Sequence, residues 1–284
     1  MFLNPSEYPL HMKKLAITGA VILLILIGIY FVFIAPKPAT AAILYVERGS
    51  VEVNTGSGWQ PGADEMELAK GSQVRTADGE ATVVFYEGEI THLEPNTEIK
   101  LDEVSKSDIK VTQLAGETWN KVTKISGVSE FTVETPSTVA TVRGTEFSIN
   151  DEEVDVMEGE VDYGPKDKPH IKVRAGNRAI MQIMAEEGIS PEKLARLQQF
   201  PGKYEKVLKK VRAREIRKHK GILKMAANKG MTEEKIHQQL NEIDEGRQDE
   251  DKAYQEVPSI MKPKARRTYL LTKEIKKAKA HMRQ

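Results

Sequence analysis

The sequence predicts a mainly β protein, a sandwich or roll of many short strands, with one N-terminal transmembrane helix and a C-terminal α-helical basic region. Three observations lead there. Leu15 to Ala35 is an uninterrupted run without charge. From Ile43 to about Ile183, short alternating runs are broken by Gly, Asp and Pro. From Ser190 onward, apolar residues recur at helical spacing and the charge balance reverses. The expected segments are a cytoplasmic N-terminus (1–14), a transmembrane helix (15–35), a linker (36–42), an all-β domain (43–185) and a basic helical region (186–284).

The apolar run LAITGAVILLILIGIYFVFIA has 21 residues. At ~1.5 Å per residue a helix of that length spans roughly 31 Å, the thickness of a hydrocarbon core. Tyr30, Phe31 and Phe33 fall where an aromatic belt meets the far interface, and Pro36 and Pro38 end the helix. Lys13 and Lys14 flank the near end, so the positive-inside rule places the short N-terminus in the cytoplasm. Ala39-Thr40-Ala41 offers a signal-peptide cleavage site as a rival reading, although a signal h-region is typically only ~7–15 residues. Both readings put the remaining chain outside the cytoplasm.

In the β region Val51 and Val53 alternate, as do Ala81, Val83 and Phe85 after the hairpin-favouring dipeptide Asp78-Gly79. Glu87-Gly88 suggests a second turn, followed by Ile90 and Leu93. Thr97, Ile99 and Leu101 follow Pro95-Asn96, and Ile109 and Val111 begin a strand closed by Gly116. Further strands are expected over 131–135, 147–149, 154–156, 171–173 and 179–183, and the stretch from Gly116 to Gly127 is ambiguous. Around Gly144 the apolar positions change parity, from Ala140 and Val142 to Phe147 and Ile149. A strand has period two, so this change means either a bulge or bend at Arg143-Gly144, or two separate strands meeting there.

The stretch Phe131-Thr-Val-Glu-Thr-Pro-Ser-Thr-Val-Ala-Thr-Val-Arg-Gly-Thr-Glu-Phe147 resembles the central signature of the FecR-like domain family. The flanks agree in order: Gly49-x-Val51-x-Val53, Trp59, Gly71, Val74-Arg75-Thr76, Pro95-Asn96-Thr97, Leu114-x-Gly116, then Val154-x-Val156-x-Glu158-Gly159-x-Val161. The resemblance spans roughly 44–176. It implies an extracytoplasmic, β-rich, non-enzymatic domain with a binding or sensing role, and the family motif residues Thr135, Pro136, Val142, Arg143, Gly144, Thr145 and Phe147 as structural or binding positions. The founding regulator also holds a sigma factor through a cytoplasmic domain. Only Met1 to Lys14 precede the apolar run here, too few to bury a standard ~800 Å² interface, so that domain is expected to be lacking.

The two halves carry opposite charge. Residues 36–185 hold 15 Lys and Arg against 26 Asp and Glu, and residues 186–284 hold 25 against 15. Ser190-Pro191 reads as an N-cap with proline in the first turn; Tyr204, Val207, Leu208 and Val211 form one stripe, Ile236, Leu240 and Ile243 a second after Met231-Thr232, and Leu271, Ile275, Ala278 and Met282 a third. The cations Lys209, Lys210, Arg212, Arg214, Arg217 and Lys218 read as a solvated face, or as a surface for anionic lipid, an acidic envelope polymer or the acidic β domain. Nucleic acid is not an expected partner of a tail outside the cytoplasm.

The absence of cysteine excludes a disulfide framework, a thiol nucleophile and cysteine-ligated metal. There is no phosphate loop, no dinucleotide fingerprint, no nucleophile elbow and no zinc-protease motif. His11, His92, His170, His219, His237 and His281 are scattered without metal-ligand spacing. No catalytic residue, cofactor or metal is therefore expected. Arg143 is singled out, either as an ion-pair partner that locks the bend or, with Thr145, as part of a surface facing a ligand or partner. The expected partners are the membrane, through a single-pass anchor, and an envelope protein or polymer.

Overall fold

The computed structural model describes residues 42–85, 88–105, 107–123, 129–219, 232–257, 259 and 262–282. They belong to one compact unit, Thr40–Gln284. The apolar run 15–35 lies outside the described residues. Among those described, no helix is long and apolar enough to cross a membrane.

The strands, numbered in chain order, form two nine-stranded sheets. Sheet A runs β4 (Met66–Leu68), β1 (Ala42–Arg48), β6 (Glu80–Phe85), β7 (Glu89–Leu93), β10 (Thr118–Lys121), β13 (Glu146–Ile149), β14 (Glu153–Glu158), β17 (Asn177–Ile180) and β18 (Glu186–Gly188). Sheet B runs β3 (Trp59–Pro61), β2 (Val51–Asn54), β5 (Gln73–Thr76), β8 (Glu98–Val104), β9 (Asp108–Ala115), β11 (Glu130–Glu134), β12 (Thr138–Val142), β15 (Glu160–Pro165) and β16 (Ile171–Arg174). Beyond β5 both orders rise along the chain. Strands are laid down alternately in one sheet and the other, so the sandwich grows along one axis. The β9–β11 pair is parallel, because β10 is contributed to sheet A between them.

This winding corrects one expectation. Asp78-Gly79 does not close a hairpin: β5 lies in sheet B and β6 in sheet A. The dipeptide is a crossover packed against the neighbouring Arg48–Ser50 crossover. A Cβ on Gly79 would lie 2.5 Å from the Ser50 carbonyl oxygen, so only glycine allows the two crossovers to touch. Asp78 Oδ1 accepts the Ser50 N–H at 3.1 Å, holding the pair together.

The core between the sheets is aliphatic and aromatic, and includes Leu44, Val53, Val83, Phe85, Ile99, Leu101, Val111, Phe131, Phe147 and Val161. Phe85 and Phe131 meet edge to face across it, 6.0 Å between centroids. Gln113, Thr118, Asn120 and Thr91 form a buried polar chain. Thr91 donates to Asn120 Oδ1, Asn120 to Thr118 Oγ1, Thr118 to Gln113 Oε1, and Gln113 Nε2 to the carbonyls of Gly116 and Ile149. Satisfied in this way, it does not incur the desolvation cost of orphaned groups.

The helices are α1 (Pro191–Leu197), α2 (Phe200–Lys218), α3 (Glu233–Asp244), α4 (Glu250–Glu256) and α5 (Lys262–His281). Ser190 caps α1, accepting from Lys193 N–H, with Pro191 in the first turn, as the sequence suggests. Thr232 caps α3. The outer face of sheet A supplies Ile43, Tyr45, Val84, Ile90 and Trp119 to a second apolar cluster. It is completed by Leu197, Phe200, Tyr204, Val207, Leu208 and Val211 of α1 and α2, and by Leu271, Ile275 and Ala278 of α5. β6, β7 and β10 are consequently buried along their whole length, whereas β2, β5 and β8 show mainly alternating burial.

Charge follows the same interface. Lys210 pairs with Asp64, Arg214 with Glu67, and Arg217 with Glu65; Lys193 reaches Glu117, Glu153 and Asp155. Burial opposes the Lys193 charge, but these carboxylates outweigh it and hold the ammonium above its usual range. Lys209 pairs with Glu205 of its own helix, and Arg212 makes a buried bidentate pair with Asp244 of α3. Much of the basic face of α2 is therefore matched by acids of the same chain.

Candidate functional site

The motif residues separate into three groups along β12 and β13. Thr135 and Pro136 form the β11–β12 turn. Thr135 N–H donates to the Thr138 carbonyl at 2.9 Å, Thr138 N–H donates to Thr135 Oγ1 at 2.9 Å, and Pro136 sits exposed at the tip. Asp151, beyond β13, accepts from Ser137 N–H at 2.8 Å and Ser137 Oγ–H at 2.9 Å, which ties this turn to the other sheet. Burial opposes the Asp151 charge, but hydrogen bonds from Thr135 and Ser137 win and hold its carboxyl below the usual range.

Val142 and Phe147 are buried in the inter-sheet core. Between them the chain leaves sheet B and enters sheet A. Both readings of the parity change are thus realised: there is a sharp bend, and the strands on either side belong to different sheets. Gly144 has φ +95°, in the region that disfavours side chains. Gly159 lies against it, and a Cβ there would come 2.9 Å from the Gly144 carbonyl oxygen and from Thr145 Oγ1. Thr145 Oγ1 donates to the Glu160 carbonyl at 3.0 Å, and its own carbonyl accepts from Val122 N–H at 2.9 Å. These contacts fix the bend. Arg143 takes no part: it is exposed and, among the described residues, makes no ion pair or hydrogen bond.

Arg143, Gly144 and Thr145 instead line a cleft of about 600 Å³ with Val142. Its other walls are Glu130, Thr141, Glu160, Asp162 and Lys172, side chains that alternate with the core residues Phe131, Val142, Val161 and Val173. The cleft thus opens on the outer face of sheet B, away from the helices. Its rim charges are partly matched. Lys172 donates to Glu160 Oε1 at 2.6 Å and so lowers the Glu160 carboxyl pKa below its usual value, and His170 Nδ1 lies 3.6 Å from Asp162. The guanidinium of Arg143 remains available. Its planar donor fork suits a carboxylate or phosphate, which it can bind bidentately. No nucleophile–base pair lines the cleft.

The sequence singled out Arg143 and Thr145 but missed their neighbours. Glu130 lies on the hairpin partner β11, while Glu160 and Asp162 of β15 and Lys172 of β16 come from later strands that the sheet B order lays beside and beyond β12. The one available signal was the outward parity of Asp162 and Lys172 beside Val161 and Val173.

Comparison with known proteins yields one family: residues 72–162 match the FecR protein family. No curated protein matches the chain. Two crystal structures of a candidate anti-sigma factor from Parabacteroides distasonis ATCC 8503 are similar, each at 17% identity over 45% of this chain, with TM-scores of 0.38 and 0.37. The match covers 64% and 63% of those chains, just under two thirds of their length. Together with the Thr-Pro turn and the Val-Arg-Gly-Thr bend, the family match identifies a FecR-like domain in this chain.

Proposed function

We propose that this protein is a membrane-anchored, extracytoplasmic FecR-like binding or sensory module, non-enzymatic, that engages a protein partner of the envelope through the Arg143 cleft. The observation that carries this reading is the division of labour within the motif. Its buried residues and glycines hold the sheet-switching bend, while Arg143 stands exposed in a cleft with no partner of its own among the described residues. A guanidinium on a rigid β scaffold is suited to an acidic side chain on a partner, and costs little ordering on binding. The uncharged run 15–35 and Lys13-Lys14 support the anchor and the outward orientation.

Two fusions at Gln284 test the placement. Alkaline phosphatase is expected to be active there and a cytoplasm-dependent fluorescent reporter dark; the reverse pattern contradicts it. For the cleft, Arg143→Ala is expected to weaken capture of the envelope partner while leaving the melting temperature unchanged. If the change lowers stability and leaves capture intact, the residue is structural and the binding proposal fails.

A further inference from the structure

A second polar cluster lies between sheet A and α2, on the opposite side of the sandwich from the cleft. Glu80 opens β6, His92 lies in β7 and Glu94 follows it. One carboxylate oxygen from each glutamate and one ring nitrogen of His92 lie within 4.8 Å of one another. The His92 side chain is 1% exposed, and those of Glu80 and Glu94 are 11% and 15% exposed. His92 Nδ1 is 3.0 Å from Glu47 Oε1, an oxygen that also accepts from the Thr82 hydroxyl. That carboxylate favours the Nδ1–H tautomer and turns the Nε2 lone pair toward Glu80 and Glu94, the outer-shell arrangement of metal-bound histidines.

A cation already occupies the convergence point. Lys203 of α2 places Nζ 3.3 Å from His92 Nε2, 3.3 Å from Glu80 Oε2 and 3.1 Å from Glu94 Oε1. The donor atoms are fixed to the sheet, whereas the ammonium is supplied by a separate element. Three carboxylates, Glu47, Glu80 and Glu94, face the charges of Lys203 and Arg48, the latter bound to Glu80 at 2.5 Å. Once His92 Nε2 ligates, the three carboxylates are balanced by Arg48 and a divalent ion in place of Lys203.

We propose that Glu80, His92 and Glu94 bind a divalent transition-metal ion of the zinc class in exchange for the Lys203 ammonium. One imidazole and two carboxylates, with a fourth position for water, is a donor set that zinc accepts, while calcium and magnesium take oxygen ligands in larger number. His92 Nε2 now lies 3.6 Å from Glu94 Oε1 and 4.0 Å from Glu80 Oε2. Tetrahedral bonds of ~2.0–2.1 Å bring donor atoms to roughly 3.3 Å apart, so the two His92 pairs close by less than about 1 Å and the Glu80–Glu94 pair, within 4.8 Å, by no more than about 1.5 Å. Because Lys203 anchors α2, loading the site is coupled to helix docking.

The test is zinc titration of the detergent-solubilised full chain at neutral pH against a competing chromophoric chelator. One equivalent is expected to bind, and Lys203→Ala, which removes the competing ammonium, is expected to bind it about tenfold tighter or more. Adding His92→Gln to that variant is expected to return the affinity below that of the unaltered chain. Lys203→Leu keeps an apolar stem near Trp119, over which Nζ now sits at 5.2 Å, and serves if the alanine variant unfolds early. Cobalt gives a second readout: Trp119, 6.2 Å from His92, is expected to be quenched on loading. No stoichiometric binding by either lysine variant, or an affinity indifferent to His92→Gln, overturns the proposal and leaves the cluster as an ion-pair network.

Discussion

Replacing Phe200 with alanine probes whether the helices are a wall of the sandwich or an appendage. Phe200 begins α2, is 2% exposed, and sits between sheet and helix. Its ring meets Trp119 edge-on at 5.0 Å and Tyr204 at 5.2 Å, with His92 at 6.0 Å. A buried Phe→Ala change typically costs about 3–5 kcal/mol, within which each edge contact contributes about 0.5–1.5 kcal/mol. With a urea slope of about 2–3 kcal/mol/M, the midpoint falls by roughly 1.5 M. Equilibrium urea unfolding read by far-UV dichroism and Trp fluorescence measures it, and both probes are expected to shift together, because Trp119 reports the same interface. A loss below about 0.5 kcal/mol, the range of surface substitutions, refutes the packed helical layer.

Arg212→Met leaves the Asp244 carboxylate, 2% exposed, buried without its bidentate partner. It is expected to destabilise by about 3–5 kcal/mol in the same urea assay. Asn120→Ala breaks the buried chain between the sheets, stranding the Thr91 hydroxyl and removing the bond that Thr118 accepts, for an expected loss of about 1–3 kcal/mol. Asp151 has a depressed folded-state pKa, so its contribution is present above the unfolded value of about 3.9 and is lost as pH falls through the folded one. Asp151→Asn is therefore expected to flatten the acid limb of a stability–pH profile below about pH 4, with little change of slope near neutrality. Arg143→Ala, at an exposed position, is expected to change unfolding free energy by less than about 0.5 kcal/mol.

The legibility of this fold in sequence depends on what covers each strand. Sheet B has one solvated face, so Val51/Val53 and Ile99/Leu101 alternate and read as strands directly. β10 is Thr-Trp-Asn-Lys, which carries no alternating apolar pattern, yet all four residues are buried. Thr118 and Asn120 join the inter-sheet polar chain, and Trp119 and Lys121 face the helices, Lys121 donating to Glu146 at 3.0 Å and to the Tyr204 hydroxyl at 3.2 Å. No local signal marks a strand whose inner face is polar and whose outer face is covered by a helix residue 83 positions away, Tyr204. The parity change at Gly144 was legible, because both flanking strands bury apolar residues in one core. Which sheet each strand joins was not, since that choice is made by crossovers such as Gly79. The helical stripes were legible from spacing. Spacing left the role of their cations open among a solvated face, an anionic ligand and the acidic β domain; Lys210, Arg214 and Arg217 take the last of these, with Asp64, Glu67 and Glu65 opposite. The Glu80–His92–Glu94–Lys203 convergence was invisible, because its fourth member arrives on α2.

The binding proposal is tested most directly by site-specific photo-crosslinking from the cleft in intact cells. A photoreactive residue at Thr141, on the cleft wall, is expected to give one discrete adduct with an envelope protein, and the adduct is expected to fade when Arg143→Ala is added. The same probe at Thr112, on the same face but bonded to Asp102 away from the cleft, is expected to give none. An adduct that persists undiminished with Arg143→Ala, or that forms equally from Thr112, contradicts the Arg143 cleft as the binding surface.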